Sequence, residues 1–547
     1  MPAAIYFAPD AFVLDGKQIM GRRVAGASFL RAAVEGRVGE PLLAYTDRGY
    51  FGEFQAAVGA LDAEAPTRTI ALGDHAELAR CGTLFRSDPV IGPEARLRLR
   101  SGPARFSLCG VTHTLMTSHS IEAIAALASE PVMPWDALIC TSTVARDVVR
   151  SIFDDAADYI GWRSGVGKPV SLPYLPLIPL GLHSKDLAPT QGARHRARTR
   201  FAIGENERVV LFAGRLAIAS KAHPFQMYQA LQAVAGQTGK PVTLMLAGQF
   251  FNDRIAEEFA NAARRHCPDV RYIVADGADA QCYADAFAAA DIFLSLADSY
   301  QETFGLTPLE GMAMGLPVVV SDWNGYRDTV RDGVDGFRIA CMAPAEGAGA
   351  EIARDYELTS NYDLYAWRTA TTVSIDMKML IDRLTLLVED KDLRRRMGEA
   401  GRARAVGDYD WSVIYPRYKE LWAELAAMRM RSINDDRVRD WLGRAPRAHP
   451  VHRDPFGRFA TFPTGSMTGE TLVRAAPGAS VEAYDALVSM PMFGFHRLRP
   501  DLIRGLLSAP SGDAVEISAI AREIARPTAT VVEWVSRLVK MNLLIVE

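Results

Sequence analysis

The 547-residue sequence predicts an α/β protein: two consecutive doubly wound domains facing one cleft, followed by a smaller, mainly helical domain. Three observations lead there. A single apolar core stops growing near ~250–300 residues. A chain this long, with 49% apolar and 23% charged residues, therefore divides into two or three domains. Short continuous apolar runs alternate with helix-length segments, which implies crossover units and a parallel sheet. The alternation comes in two series, separated near residue 190 by a charged stretch, and it stops after about residue 430. We place the domains at 1–190, 191–428 and 429–547.

In the first series, residues 3–9, 41–46, 67–72, 105–113 and 135–142 read as strands. Residues 21–36, the segment through 121–127 and residues 143–153 read as helices. Residues 187–208 are rich in charge with Pro and Gly, and read as a hinge or a surface helix. The second series places strands at 208–214, 241–248, 270–276, 291–297 and 316–322, with a helix over 223–237. Its apolar runs are short and unbroken, as expected for strands covered on both faces. Ligands of such sheets sit at the carboxyl ends of the strands. Residues 408–428 form a long amphipathic helix whose Trp411, Tyr415, Tyr418 and Trp422 recur at helical spacing, a core-packing stripe.

Residues 449–465, rich in Pro, Gly and His, read as a linker arm. The end of the chain reads helix, helix, helix, short strand, an order that resembles a winged-helix unit. Residues 431–547 carry 15 Lys/Arg against 13 Asp/Glu, which lacks the basic footprint that phosphate contacts with nucleic acid require. A role in packing, partner docking or self-association is expected instead. The net charge of −4 favours neither nucleic acid nor an anionic membrane. The six cysteines are scattered without a C-x-x-C pair, as free thiols of a reducing compartment are. With no basic, apolar leader and no run of ~20 apolar residues, a cytoplasmic protein is expected.

The segment 298–339 concentrates the chemistry. Glu302 and Glu310 stand eight positions apart, and residues 307–315 read as the first turns of a helix carrying Glu310. The stretch 304–308 then forms the preceding loop and N-terminal turn, whose unpaired N–H groups suit a phosphate. A carboxylate accepts paired hydrogen bonds from vicinal hydroxyls, as a ribose or hexose offers. A second cluster follows the strand ending at Gly214: Arg215 and Lys221 are two cations that can hold a diphosphate and stabilise it as it leaves. Gly21 precedes a helix, and His113 follows a strand. A helix-capping glycine and a structural histidine are the alternative readings of these two.

The run ETFGLTPLEGMAMGLPVVVSD (302–322) resembles the E-x7-E signature of retaining glycosyltransferases of the GT-B kind, particularly glycosyltransferase family 4. The resemblance spans about residues 1 to 428, dense from 205 to 340 and thin before 130. It implies two Rossmann-like domains, the first shaping the acceptor side and the second binding a nucleotide sugar. It implies that Glu302 contacts donor-sugar hydroxyls, that Phe304, Gly305 and Leu306 present backbone N–H groups to the diphosphate, and that Glu310 holds the ribose. It assigns Arg215 and Lys221 to the donor phosphates, although Lys221 stands six after Arg215 where five is commoner. Gly21 matches the family's glycine-rich loop, with Arg22 where a second glycine is common. His113 matches a histidine facing the transferred sugar, and the nearby His119 competes for that assignment. Residues 135–142 resemble a family strand ending in Ser near the cleft. In 177–183, Leu180 and His183 replace the family's Asn and Asp.

The expected activity is therefore transfer of a hexose from a nucleotide diphosphate sugar to an unknown acceptor, with retention. No D-x-D follows a strand, so a metal-independent reaction is expected, with no cofactor besides the donor. Two other readings stay open: an epimerase or hydrolase of nucleotide sugars on the same fold, and a non-enzymatic scaffold acting through the tail.

Overall fold

The structure is a computed structural model describing residues 3–13, 21–165, 172–188 and 190–547. It divides into two compact units, residues 1–449 and 450–547.

The first unit contains two six-stranded parallel sheets. One is built from β1 (Ala4–Tyr6), β2 (Leu42–Thr46), β3 (Thr67–Ala71), β4 (Thr83–Phe85), β5 (Ser107–Val111) and β6 (Ala137–Ile139), in the spatial order β3-β2-β1-β4-β5-β6. The other comprises β7 (Arg208–Ala213), β8 (Val242–Gly248), β9 (Arg271–Asp276), β10 (Ile292–Ser295), β11 (Val318–Ser321) and β12 (Gly336–Ile339), in the order β12-β11-β10-β7-β8-β9. Both are the doubly wound order 3-2-1-4-5-6, and each reverses direction between its first and fourth strands. The switch point of the second sheet thus lies between β7 and β10, which pair through Ile292 with Val210 and Phe293 with Leu211.

Most of these strands are buried along their length, which is why they read as unbroken apolar runs. Two were absent from the sequence reading. β4 has only Leu84 and Phe85 as consecutive apolar residues, between Thr83 and Arg86, and Arg338 interrupts the apolar run of β12.

Crossover helices cover the sheets. In chain order we use α1 (Gly21–Glu35), α2 (Ser118–Ala126), α3 (Thr143–Ser164), α4 (Ala193–Arg200), α5 (Phe225–Thr238), α6 (Leu306–Ala313), α7 (Ala350–Thr359), α8 (Tyr362–Ala370) and α9 (Trp411–Ile433). The charged stretch near residue 190 holds a helix, α4, that packs on the second domain. Arg198 is buried there, and its guanidinium donates to the Gly204 and Glu207 carbonyls and sits beside Asp291. A buried guanidinium is tolerable because its N–H groups find acceptors.

The long helix α9, which chain order groups with the second domain, lays its stripe on the first. Trp411, Tyr415, Tyr418 and Trp422 join Phe7, Phe29, Phe85 and Val111 in one apolar cluster. Phe29 lies 4.5 Å from Phe85 and 5.2 Å from Tyr418, centroid to centroid. Each such ring buries roughly 150–250 Å². The first domain also holds a fully buried ion pair, Arg98 with Asp136 at 2.6 Å; Asp136 additionally accepts the Leu108 and Met133 amides. Those extra donors offset the cost of burying the charge.

The second unit is built on a three-stranded antiparallel sheet. β13 (Leu472–Ala475) is central, between β14 (Val515–Glu516) and β15 (Leu544–Val546). Helices α10 (Val481–Val488), α11 (Pro500–Ser508), α12 (Ile517–Glu523) and α13 (Thr528–Lys540) enclose its core, with Val473, Ile503, Ile520, Val531 and Val535 at the centre. Among the described residues no helix is long and apolar enough to cross a membrane.

Candidate active site

The carboxyl ends of β7 and β10 bring together what the sequence separates by some eighty positions. β7 ends at Ala213 and turns through Gly214 into Arg215 and Lys221; β10 leads into the loop carrying Glu302. Lys221 Nζ donates to Glu302 Oε2 at 2.6 Å, with both side chains largely buried. Burial penalises the charge on Lys221, but the Glu302 carboxylate outweighs this and holds the ammonium protonated well above its ordinary range. Burial likewise acts to raise the pKa of Glu302. Lys221, the Phe304 amide and Arg215 together overcome it and leave the pKa lowered. The pair is therefore ionised. The six-residue spacing from Arg215 does not keep Lys221 out of the site; Gly214, with φ +129°, lets the lysine stem pass so closely that a Cβ would stand 3.1 Å from its Cε.

Gly305 is the N-cap of α6, with φ +90°. A Cβ there would meet the Tyr326 ring at 2.0 Å, so both backbone and packing demand glycine. Tyr326 is itself held by Ser295, hydroxyl to hydroxyl at 2.9 Å, and burial pushes its pKa up to about 12. Leu306 opens α6. Of the three amides that the resemblance gives to a diphosphate, that of Phe304 also helps to lower the pKa of the Glu302 carboxyl. One turn along α6, Glu310 accepts a hydrogen bond from the Tyr283 hydroxyl at 3.1 Å, and burial raises its pKa.

The first domain meets this loop directly. The Thr303 hydroxyl donates to the His113 carbonyl at 2.9 Å, and the Ser142 hydroxyl donates to the Thr303 carbonyl at 2.8 Å. The His113 ring approaches the Ser87 carbonyl at 2.9 Å through Nε2. His113 and Ser142, both singled out in sequence, thus stand at the cleft beside Glu302. His183 turns the other way, toward Glu35 and the Ser28 carbonyl of α1. Gly21 opens α1, and a Cβ there would meet nothing within 4 Å. The side chain of Arg22 lies outside the described residues.

Several groups at the site escaped the sequence reading. The Asp298 carboxyl is 3% exposed and accepts the His223 amide at 3.0 Å, two residues beyond Lys221. Burial pushes its pKa up to about 7. Its Oδ1 and the Thr307 hydroxyl, in the first turn of α6, are buried without a hydrogen-bond partner among the described residues. Asn324 donates its side-chain amide to the Glu302 carbonyl. Asp298 follows an apolar strand and Thr307 precedes a proline, which is ordinary for helix starts; nothing in either pattern announced a buried polar group.

Residues 207–354 match the family described as Glycosyl transferases group 1. The chain is 26% identical over 334 residues to alpha-maltose-1-phosphate synthase of Mycolicibacterium smegmatis, covering 58% of this chain and 75% of that protein. It is 30% identical over 173 residues to D-inositol 3-phosphate glycosyltransferase of Geodermatophilus obscurus, 29% of this chain and 36% of that one. Anabaena HepE, solved in complex with UDP, superposes with a TM-score of 0.51 at 15% identity, over 78% of this chain and 100% of HepE, and shares the fold. The chain is accordingly a glycosyltransferase enzyme of the two-Rossmann-domain architecture, whose residues 207–354 match the model of the Glycosyl transferases group 1 family.

Proposed function

We propose that the protein transfers a hexose from a nucleotide diphosphate sugar to an acceptor hydroxyl, with retention at the anomeric carbon and without a metal. The observation that carries this reading is the ionised Lys221–Glu302 pair at the switch point, beside the N-terminus of α6. Lys221, Arg215 and the Gly305 and Leu306 amides form a positive edge suited to a diphosphate. The buried, unpartnered Thr307 hydroxyl supplies one more donor there. Glu302 would accept hydroxyls of the sugar, and Glu310, beside Tyr283, those of the ribose. His113 would face the transferred sugar from the first domain. Gly21 would approach the donor phosphate at the start of α1. The UDP held by HepE makes a uridine nucleotide the first donor to try. Six cysteines without a disulfide fit a cytoplasmic setting.

In the transfer, the bond between the anomeric carbon and the phosphate oxygen breaks and a bond to the acceptor oxygen forms on the same face. The acceptor proton passes to the leaving diphosphate, whose charge Lys221 and Arg215 stabilise.

A melting-point screen against UDP, GDP, ADP and dTDP tests the donor site: one should raise the transition by about 2.7 kcal/mol of stabilisation at 100 times its Kd. No shift with any of them would overturn the nucleotide reading. Resolving the product anomer tests the mechanism, and an inverted product would exclude it. Nucleotide release without transfer would favour a hydrolase.

A further inference from the structure

Beyond β12 the chain leaves the second sheet and returns. Cys341–Met342 pairs antiparallel with Ser374–Ile375, pinning the two ends of this excursion. Between them stands the hairpin of α7 and α8. It is tied on both sides of the cleft. The Gln301 side-chain amide donates to the Tyr362 hydroxyl, one residue before Glu302. The Tyr356 hydroxyl shares a hydrogen bond with Ser118, the first residue of α2 in the first domain and five positions beyond His113.

The hairpin presents aromatic surface at this place. Tyr356 and Tyr365 stack at 4.5 Å with 12° between planes, and Tyr362 meets Tyr356 edge-on at 6.4 Å. Tyr300, two residues before Glu302, is 40% exposed and edge-on to Trp323 at 4.9 Å. Rings with hydroxyls at their rims, interleaved with an amide and a serine, match a ligand with apolar C–H faces and a girdle of hydroxyls. The Gln301 amide and the Ser118 hydroxyl are already engaged by Tyr362 and Tyr356, and a hydrocarbon tail would strip water from the Tyr300 and Tyr365 hydroxyls without offering them a partner, as ligand hydroxyls do.

We propose that the α7–α8 hairpin walls the acceptor side of the cleft, and that Tyr300 and Tyr365 bind a ring polyol, a sugar or cyclitol, as the acceptor. This rests on the transferase reading above and specifies its acceptor class.

The test uses the full-length protein and saturation-transfer NMR, with maltose, myo-inositol and octanoate as probes, with and without UDP. Wild type should saturate the ring C–H protons of maltose or myo-inositol and leave octanoate silent. Tyr365→Ala and Tyr300→Ala should each weaken the sugar signal about 10-fold, the worth of one ring contact. Tyr356→Phe, which keeps its ring, should retain it. UDP affinity should change by less than about two-fold in all three variants. Absence of a ring-proton signal in wild type, preference for octanoate, indifference to both alanine variants, or a parallel loss of UDP affinity would each overturn the proposal. A sugar signal that needs Tyr365 in a protein binding no nucleotide would remove the donor reading and leave the subsite standing.

Discussion

Glu302 and Lys221 stabilise each other only as a pair. Removing one leaves a buried charge without its counter-ion, which costs about 3–5 kcal/mol, whereas replacing both is far milder. Lys221→Met should therefore destabilise more than the double variant Lys221→Met/Glu302→Gln, a difference that urea unfolding would measure. Equal losses would mean that the pair is solvated. Asp298 tests the site by pH. Its pKa is raised from 3.8 to about 7 by burial, so between these values the folded protein holds a proton that the unfolded chain has released. Stability contributed by that proton is present in full below about 4 and is lost as pH rises through about 7. Asp298→Asn carries no such charge. Its stability relative to wild type should climb across that window by up to about 4 kcal/mol, and a flat difference would show Asp298 to be ionised throughout.

Loops and helix starts carry the site, and their legibility was uneven. The 302–310 run declared itself because several demands fall within nine residues: a carboxylate, a left-handed glycine and a second carboxylate on the first turns of a helix. Gly305→Ala should cost roughly 2–4 kcal/mol from its backbone conformation and the Tyr326 clash. It should also weaken nucleotide binding in calorimetry; an unperturbed melting point would mean that the turn can rearrange. Strands within long apolar runs were readable, whereas β4 was not, because Leu84 and Phe85 stand alone as apolar residues between Thr83 and Arg86. Yet β4 is central, pairing with both β1 and β5. Asp298, Thr307 and the tyrosines of α7 and α8 were illegible for another reason. Their meaning lies in what faces them across the fold, and a lone Asp or Tyr in sequence does not name its neighbour.

At the level of the whole molecule, the two alternating halves of the sequence became two sheets of the same strand order. The aromatic stripe of residues 411–422 was rightly read as core-forming. Which core it joins depends on tertiary direction, and α9 runs back to the first sheet from the end of the second. Residues 450–547 form a compact unit with their own core. A chain ending at His449 should keep nucleotide affinity within about two-fold by calorimetry, as expected when a domain carries its own core. A larger loss would assign the tail a part in the donor site. The contact at Thr303 has a consequence at the same scale. This residue sits directly after Glu302 and is gripped by the His113 carbonyl and the Ser142 hydroxyl of the opposite domain. The sheets cannot part without releasing the residue next to the carboxylate, so the protein's degree of gaping is written into the pose of Glu302: the enzyme would be armed by the same touch that shuts it.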